Sequence, residues 1–428
     1  MSHNKPYPAY KDSGVEWIGK VPEHWDVARI KRMAQIATAR CNTIPAGLTY
    51  IGLEDVESGS GQYKPTATTS RQSDDSTVGL FQGGDVLYGK LRPYLRKCIT
   101  GLVDGACSTE FLVIKPSSLS PAWLRNWLLT NEVTQQIEAG CDGAKMPRAD
   151  WEHVGSIQIP APDKVEQDAI LTKLDRETAR IDALIAKKTE FIELLAKKRQ
   201  ALITHAVTKG LNPKAKMKDS GVEWIGEVPE HWEVRRMATL FREAIRPGDP
   251  SLPILSISIH DGITDEEVAA EDRDRRVSQI EDRTKYKRVA PDDLAYNMMR
   301  AWQGAFGAVT VDGLVSPAYV VAEPTDEFRT GYIEHLLRTP SAIEEMRRYS
   351  RGIADFRMRL YWDYFRDLKV CLPRADEQDV ILARIGTETR RIDMLTGKTQ
   401  LSIDLLKKRR SALITAAVTG QIDLRESA

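Results

Sequence analysis

The chain has 428 residues, 42% of them apolar, and its 61 Lys+Arg are balanced by 61 Asp+Glu. That length allows two or three domains, each able to bury its own core, while zero net charge excludes a global field for nucleic acid and makes any DNA-binding surface local. Five scattered cysteines (Cys41, Cys98, Cys107, Cys141, Cys371) with no CxxC exclude a disulfide frame or zinc knuckle, and the expectation is a reduced, cytoplasmic chain with no membrane span or signal peptide.

Residues 11–27, KDSGVEWIGKVPEHWDV, return almost unchanged at 218–234 as KDSGVEWIGEVPEHWEV. Each copy sets two tryptophans (Trp17 and Trp25, Trp224 and Trp232) around a Val-Pro turn, which reads as a packing clamp. His24 and His231 read as turn histidines, since no second metal ligand stands at a suitable spacing. Between the clamps and beyond the second lie two segments of similar size. A thin alignment joins them: 85–94 lies against 293–302, 105–116 against 313–324, and Arg148 and Trp151 against Arg359 and Trp362. β-rich runs at 85–88, 111–114, 309–311 and 319–321 precede helical patterns at 121–139 and 331–348, so each segment is expected to be a mixed α/β domain.

Each segment leads into a long helical stripe. In 166–208 the apolar positions Leu171, Leu174, Ile181, Ile185, Ile192, Leu195 and Leu202 fall on one face. Thr178 and Lys188 interrupt that face, as in a coiled-coil seam, and Asp163 with Glu166 reads as an opening capping box. At 1.5 Å per residue the helix would be roughly 60 Å long, longer than a small domain is wide, and so reads as a spacer. Residues 377–419 repeat it with 24 identities in 43 positions, keeping Leu382, Ile385, Ile392, Ile403, Leu406 and Leu413. Gly386 and Gly397 weaken the second copy by about 1 kcal/mol each, so a partner helix is expected, and the first copy is the obvious one. The expected order is clamp (1–25), domain (26–160), spacer and linker (161–217), clamp (218–232), domain (233–372) and spacer (373–428).

No glycine-rich phosphate loop, HExxH, GxSxG or methyltransferase Asn/Asp-Pro-Pro-aromatic tetrapeptide occurs, which argues against catalysis by this chain alone. The acidic stretch 261–282, interleaved with arginines, reads as a solvated face or loop. Two basic patches remain. Lys90, Arg92, Arg96 and Lys97 stand among Tyr88 and Tyr94, with Lys145 and Arg148 further on; Arg351, Arg357 and Arg359 follow Arg300, Trp302 and Gln303. Arginine and lysine pair with phosphates, arginine can fork onto guanine, and Gln303 or Asn297 could read adenine. Taken singly, each residue reads more readily as ordinary surface charge. As a set they carry more weight, because Arg92 and Arg300, like Arg148 and Arg359, recur at the same duplicated positions.

The GVEWIG-x-VPEHW segments, the D-x-x-x-x-K-x-R-P-Y and SPAYVV stretches, MPRADW, and the EQD-x-IL opening and LL-x-KKR-x-ALIT closing of each stripe resemble the specificity subunit of type I restriction-modification enzymes, over the whole chain. The resemblance implies a non-catalytic subunit with two target recognition domains, each reading half of a bipartite site on double-stranded DNA. It implies antiparallel pairing of the long helices in a pseudo-two-fold frame. It also implies two methyltransferase subunits using S-adenosylmethionine, and leaves open motor-nuclease subunits using ATP with Mg; no cofactor belongs to this chain. The rival reading is a coiled-coil scaffold that binds proteins without DNA specificity.

Overall fold

The computed structural model describes residues 5–45, 47–65, 77–141, 146–259, 262–264, 282–350 and 358–425. It divides into two compact units, Met1–Thr189 with Gln400–Ala428, and Glu190–Thr399. Most of the acidic stretch 261–282, together with Lys145, Arg351 and Arg357, lies outside the described residues. Among the described residues no helix is long and apolar enough to cross a membrane.

In the first unit an antiparallel sheet runs in the order Ala34–Ile36, Phe111–Pro116, Val86–Gly89, Cys98–Thr100. A second sheet orders Arg40–Cys41, Val78–Phe81, Gly105–Ser108 and Thr49–Ile51, its last pair parallel. Gln158–Ala161 returns from the end of the domain to pair with Asp26–Arg29, closing the fold just before the long helix. The core is built on Trp25, Trp123 and Trp127, all fully buried, with the Trp25 and Trp123 rings edge to face at 5.5 Å. Burial pushes the Cys98 and Cys107 thiols up to about 12, so both act as packing groups.

The second unit repeats the plan. Phe241–Glu243, Tyr319–Pro324, Leu294–Asn297 and Phe306–Ala308 form its antiparallel sheet, and Lys369–Leu372 returns to Glu233–Arg236. Tyr332 stands where the first unit has Trp123 and packs on Trp232 at 6.3 Å.

The sequence-expected helices at 121–139 and 331–348 are each two helices, Pro121–Leu128 with Asn131–Ala139 and Thr330–Leu337 with Pro340–Tyr349. The break falls at Thr130 and Thr339, whose hydroxyls accept from Val133 N (3.3 Å) and Ala342 N (3.4 Å) and start a new helix. The strand expected at 309–311 lies three residues earlier, at Phe306–Ala308. Val309 donates to Asp293 O at 2.8 Å, and from there the chain turns away.

The stripes fold as single helices, Lys164–Lys209 and Ala375–Val418. Leu174, Ile181, Leu195, Ile385, Ile392 and Ile403 are buried, and Ile185, Ile192, Leu202, Leu406 and Leu413 are half-buried. Thr178 and Thr399 sit in the seam because their hydroxyls donate back to Leu174 O (2.9 Å) and Leu395 O (2.7 Å). In the first unit Ile170, Leu171 and Leu174 share a core with Ile414, Ala417 and Val418, while Asp182 holds Arg410 at 2.9 Å. Advancing along one helix meets earlier residues of the other, so the pairing is antiparallel. The second unit does the same with Ala206 and Val207 against Ile381 and Ile385, and Arg199 on Asp393 at 2.7 Å.

Candidate nucleic-acid interface

The strand Val86–Gly89 delivers the chain to the first basic loop. Arg92 (φ 53°) and Arg96 (φ 48°) there adopt left-handed backbone around a short turn, Pro93–Leu95. Each costs about 1–2 kcal/mol for a residue with a Cβ, so the surroundings must hold the loop in place. They do. Lys90 N donates to Glu110 O (2.9 Å), Arg92 N to Pro147 O (2.9 Å) and Ala149 N to Lys90 O (2.9 Å), and Leu91 bridges Arg148. The loop and the MPRADW segment thus form one short edge.

That edge divides the sequence-expected residues by role. Arg92, Arg148 and Tyr94 (48% exposed) face solvent, and Lys90 is half-buried. Arg96 is turned inward, donating to Asn131 Oδ1 (2.6 Å) and Leu129 O (3.4 Å), and Lys97 Nζ donates to Leu53 O (2.7 Å). Their charges staple the loop to the domain.

The second domain builds the same edge from different residues. Leu360 N donates to Met298 O at 2.9 Å, the counterpart of the Ala149–Lys90 bond, which sets Arg359 beside the loop carrying Arg300. Both arginines are exposed. Trp302 and Gln303 are half-buried; the Trp302 indole donates to Met299 O (3.0 Å), and the Arg347 guanidinium lies over its ring at 5.8 Å. Asn297 is buried, and its Oδ1 accepts from Met299 N (3.0 Å), so it shapes the loop rather than facing a base.

Sequence reading gave the EQD that opens each long helix no role beyond the Glu166 capping box, and all three residues hold the domain to it. Glu166 accepts from the Tyr7 hydroxyl (3.0 Å) and Trp25 Nε1 (3.2 Å) and lies 2.8 Å from His24 Nε2. Glu377 repeats the contacts with His231 (2.7 Å) and Trp232 (3.2 Å). Gln167 accepts from Ser120 N and Gln378 from Arg329 N. Asp168 accepts from Ser120 Oγ (2.7 Å), and Asp379 takes the Arg329 fork at 2.6 and 2.7 Å. The capping box is therefore half made. Asp163 accepts from Glu166 N (2.9 Å) as expected, but the Glu166 carboxylate is spent on the clamp. The identity of EQD and of the HW dipeptides across the repeat was the signal that linked them.

In the first unit the clamp is closed by both ends of the chain. Asp423 N donates to Lys5 O (2.8 Å), and Arg425 holds Asp423 (2.8 Å), approaches Glu166 (3.3 Å) and lies over the Tyr7 ring (4.9 Å). The Arg425 hydrogen bond outweighs burial and holds the Asp423 carboxyl below its usual range. Its stabilisation is thus complete above the ordinary carboxylate value of about 3.9 and is lost as pH falls through the lower folded value. Limited proteolysis near residues 5 and 425 should be slower at neutral pH and accelerate as the pH falls below the ordinary carboxylate value of about 3.9. Equal rates across the whole range would remove Asp423 from the junction.

The described chain is thus a duplication: two copies of a mixed α/β domain, each with an exposed arginine edge and each latched to the start of a long helix. No protein-family model matches the chain. The specificity subunit of the type I restriction enzyme EcoDI from Escherichia coli is 26% identical over 189 residues, which cover 42% of this chain and 42% of that protein, so less than half of that relative's length is matched. A chain solved in a study of complex assembly and conformational transition of the type I R-M system superposes with a TM-score of 0.66 at 18% identity, covering 94% of this chain and 99% of that one. The HsdS subunit from Thermoanaerobacter tengcongensis gives 0.49 at 17% identity, covering 94% and 98%. The chain shares its fold with that chain of the type I R-M system.

Proposed function

We infer that this chain is the DNA-specificity subunit of a type I restriction-modification system and leaves the chemistry to its partners. The observation that carries this reading is the duplicated edge. Leu91 against Arg148, and Met298 against Leu360, bring Arg92 with Arg148 and Arg300 with Arg359 to equivalent places in two domains whose neighbouring residues differ. Such a pair suits a bipartite, non-palindromic site on double-stranded DNA, with one half read by each domain. On this reading, two methyltransferase subunits bring S-adenosylmethionine, and motor-nuclease subunits with ATP and Mg complete a restriction enzyme. Host DNA as the target makes the cytoplasm the place of action.

Arg92→Ala and Arg300→Ala should each weaken binding of the assembled complex to its duplex by ~1–3 kcal/mol, with discrimination relaxed in one half-site only. A phosphate contact would instead lower affinity for every sequence and flatten the salt dependence. Mobility shift with specific and scrambled duplexes measures both. A wild-type complex that retards neither duplex would leave the protein-only scaffold as the better reading.

A further inference from the structure

The two arginine edges differ in one respect that their backbones do not. In the first domain the turn before Phe111–Pro116 is fixed by Glu110 N donating to Ser108 Oγ at 3.2 Å; in the second, Ala318 N donates to Ser316 Oγ at 3.3 Å. Glu110 and Ala318 therefore occupy the same place in the same turn, and only the first carries a carboxylate. That carboxylate holds Arg148, with Nη2 at 3.0 Å from Glu110 Oε1. Glu110 O also accepts from Lys90 N at 2.9 Å, so the residue buttresses both strands of the edge. Its other oxygen, Oε2, is buried and has no partner among the described residues. Arg359, at the position of Arg148, is exposed, and the residue at the position of Glu110 is Ala318.

Resting on the DNA-specificity reading, we propose that Glu110 is a specificity-determining positioning residue of the first domain, which fixes Arg148 for base reading rather than phosphate contact. Three physical points support it. An arginine already paired with a carboxylate presents almost no net charge, and the carboxylate itself repels a phosphate, so the couple makes a poor backbone anchor. The same pairing removes rotamer freedom before DNA arrives, which favours the planar fork that guanine O6 and N7 require. The unpartnered Oε2 adds direction. A buried acceptor without a donor is unfavourable, and closing the single contact into a two-oxygen fork with Arg148 satisfies it, so the edge tightens in that sense. The second domain has Ala318 at the place of Glu110, so among the described residues its Arg359 has no such carboxylate buttress.

The test uses the full chain assembled with its methyltransferase subunits and a pool of randomised duplexes, from which bound sequences are read position by position. Glu110→Ala should reduce discrimination at one base pair of the first half-site by at least about tenfold and leave the second half-site unchanged. Affinity for non-specific duplex should stay equal or rise, and its salt dependence should steepen by about one phosphate contact as Arg148 becomes free. Glu110→Gln, which keeps an oxygen for Arg148 Nη2, should restore most of the discrimination. In the Arg148→Ala background, Glu110→Ala should change the base preference no further. A merely structural Glu110 predicts weaker binding to all duplexes alike, with the sequence pattern intact, and that result overturns the proposal. Unchanged discrimination in Glu110→Ala also overturns it, while leaving the DNA-specificity reading in place. A wild-type complex that selects no sequence overturns both.

Discussion

Glu166→Ala lowers the melting transition of the first unit far more than Glu377→Ala lowers that of the second. The two glutamates are repeats of each other, yet their surroundings differ. The Glu166 side chain is 8% exposed and that of Glu377 is 33% exposed. Glu166 serves Tyr7, His24 and Trp25 and has the Arg425 guanidinium at 3.3 Å, whereas Glu377 serves His231 and Trp232. Truncating Glu166 strands the Trp25 indole N–H and the Tyr7 hydroxyl in the interior and leaves Arg425 without one of its two carboxylates. Breaking a buried, charge-assisted set of this kind costs about 3–5 kcal/mol, whereas the more open Glu377 set is worth about 1–2 kcal/mol. For a unit of roughly 200 residues, at about 2–4 °C per kcal/mol, the first substitution shifts its midpoint by ~6–20 °C. Calorimetry of the full chain should then resolve two transitions in Glu166→Ala where the wild type shows them closer together. Equal shifts for the two variants would show that the terminal junction adds nothing to the clamp.

The repeats, the long helices and the domain class were legible because each leaves a periodic or duplicated trace. Leu174, Ile181 and Leu195 on one stripe need only a helical period to be placed. What stayed hidden was decided by contacts between residues distant in sequence. Arg96 and Lys97 have the same composition signal as Arg92, and only the positions of Asn131, Leu129 and Leu53 turn them inward. Asn297 looked like an adenine reader, but its amide is used by the backbone two residues on. Glu110 drew no notice at all, since an acid beside a basic patch reads as ordinary surface charge until Arg148, 38 residues later, is placed against it. The helix breaks were available in principle: Thr130 before Asn131, and Thr339 before Pro340, are good start signals inside what reads as one continuous pattern.

A fragment comprising residues 1–216 should dimerise and, with methyltransferase, recognise a palindrome made of the first half-site and its inverted copy. The argument lies in what each compact unit contains. The first consists of its own domain, the opening half of one long helix and the closing half of the other, Gln400–Ala428. The closing half contributes Ile414, Ala417 and Val418 to the core. Residues 203, 206 and 207, at the end of the first helix, are likewise Ile, Ala and Val and do the same work in the second unit. The ion pairs repeat too. Asp182 with Arg410 and Asp393 with Arg199 are the same Asp and Arg of the repeat, seen once in each unit. A second copy of the fragment can therefore supply Arg199 for Asp182 and Ile203, Ala206 and Val207 for the missing core face. Both exchanges are mutual, so the dimer closes on a true two-fold axis. Lys188, the polar residue in the middle of the stripe, is no obstacle. Counting six residues on from Asp182 and six back from Arg199, Lys188 faces Glu193, an opposite charge. Extending the fragment past Gly210 to residue 216 keeps Lys214, which the repeat places where Arg425 closes the first clamp. The losses lie at the tail, where Asn212 and Lys214 stand for Asp423 and Arg425 and Pro213 for the buried Leu424, so dimerisation should be weaker than folding of the intact chain and should depend on concentration. Size measurement across a dilution series, followed by sequencing of the methylated sites, decides the matter. A palindromic pattern is the expected result. A monomer at all concentrations, or an asymmetric site, would mean that the two closing helices are not interchangeable despite their identical core residues.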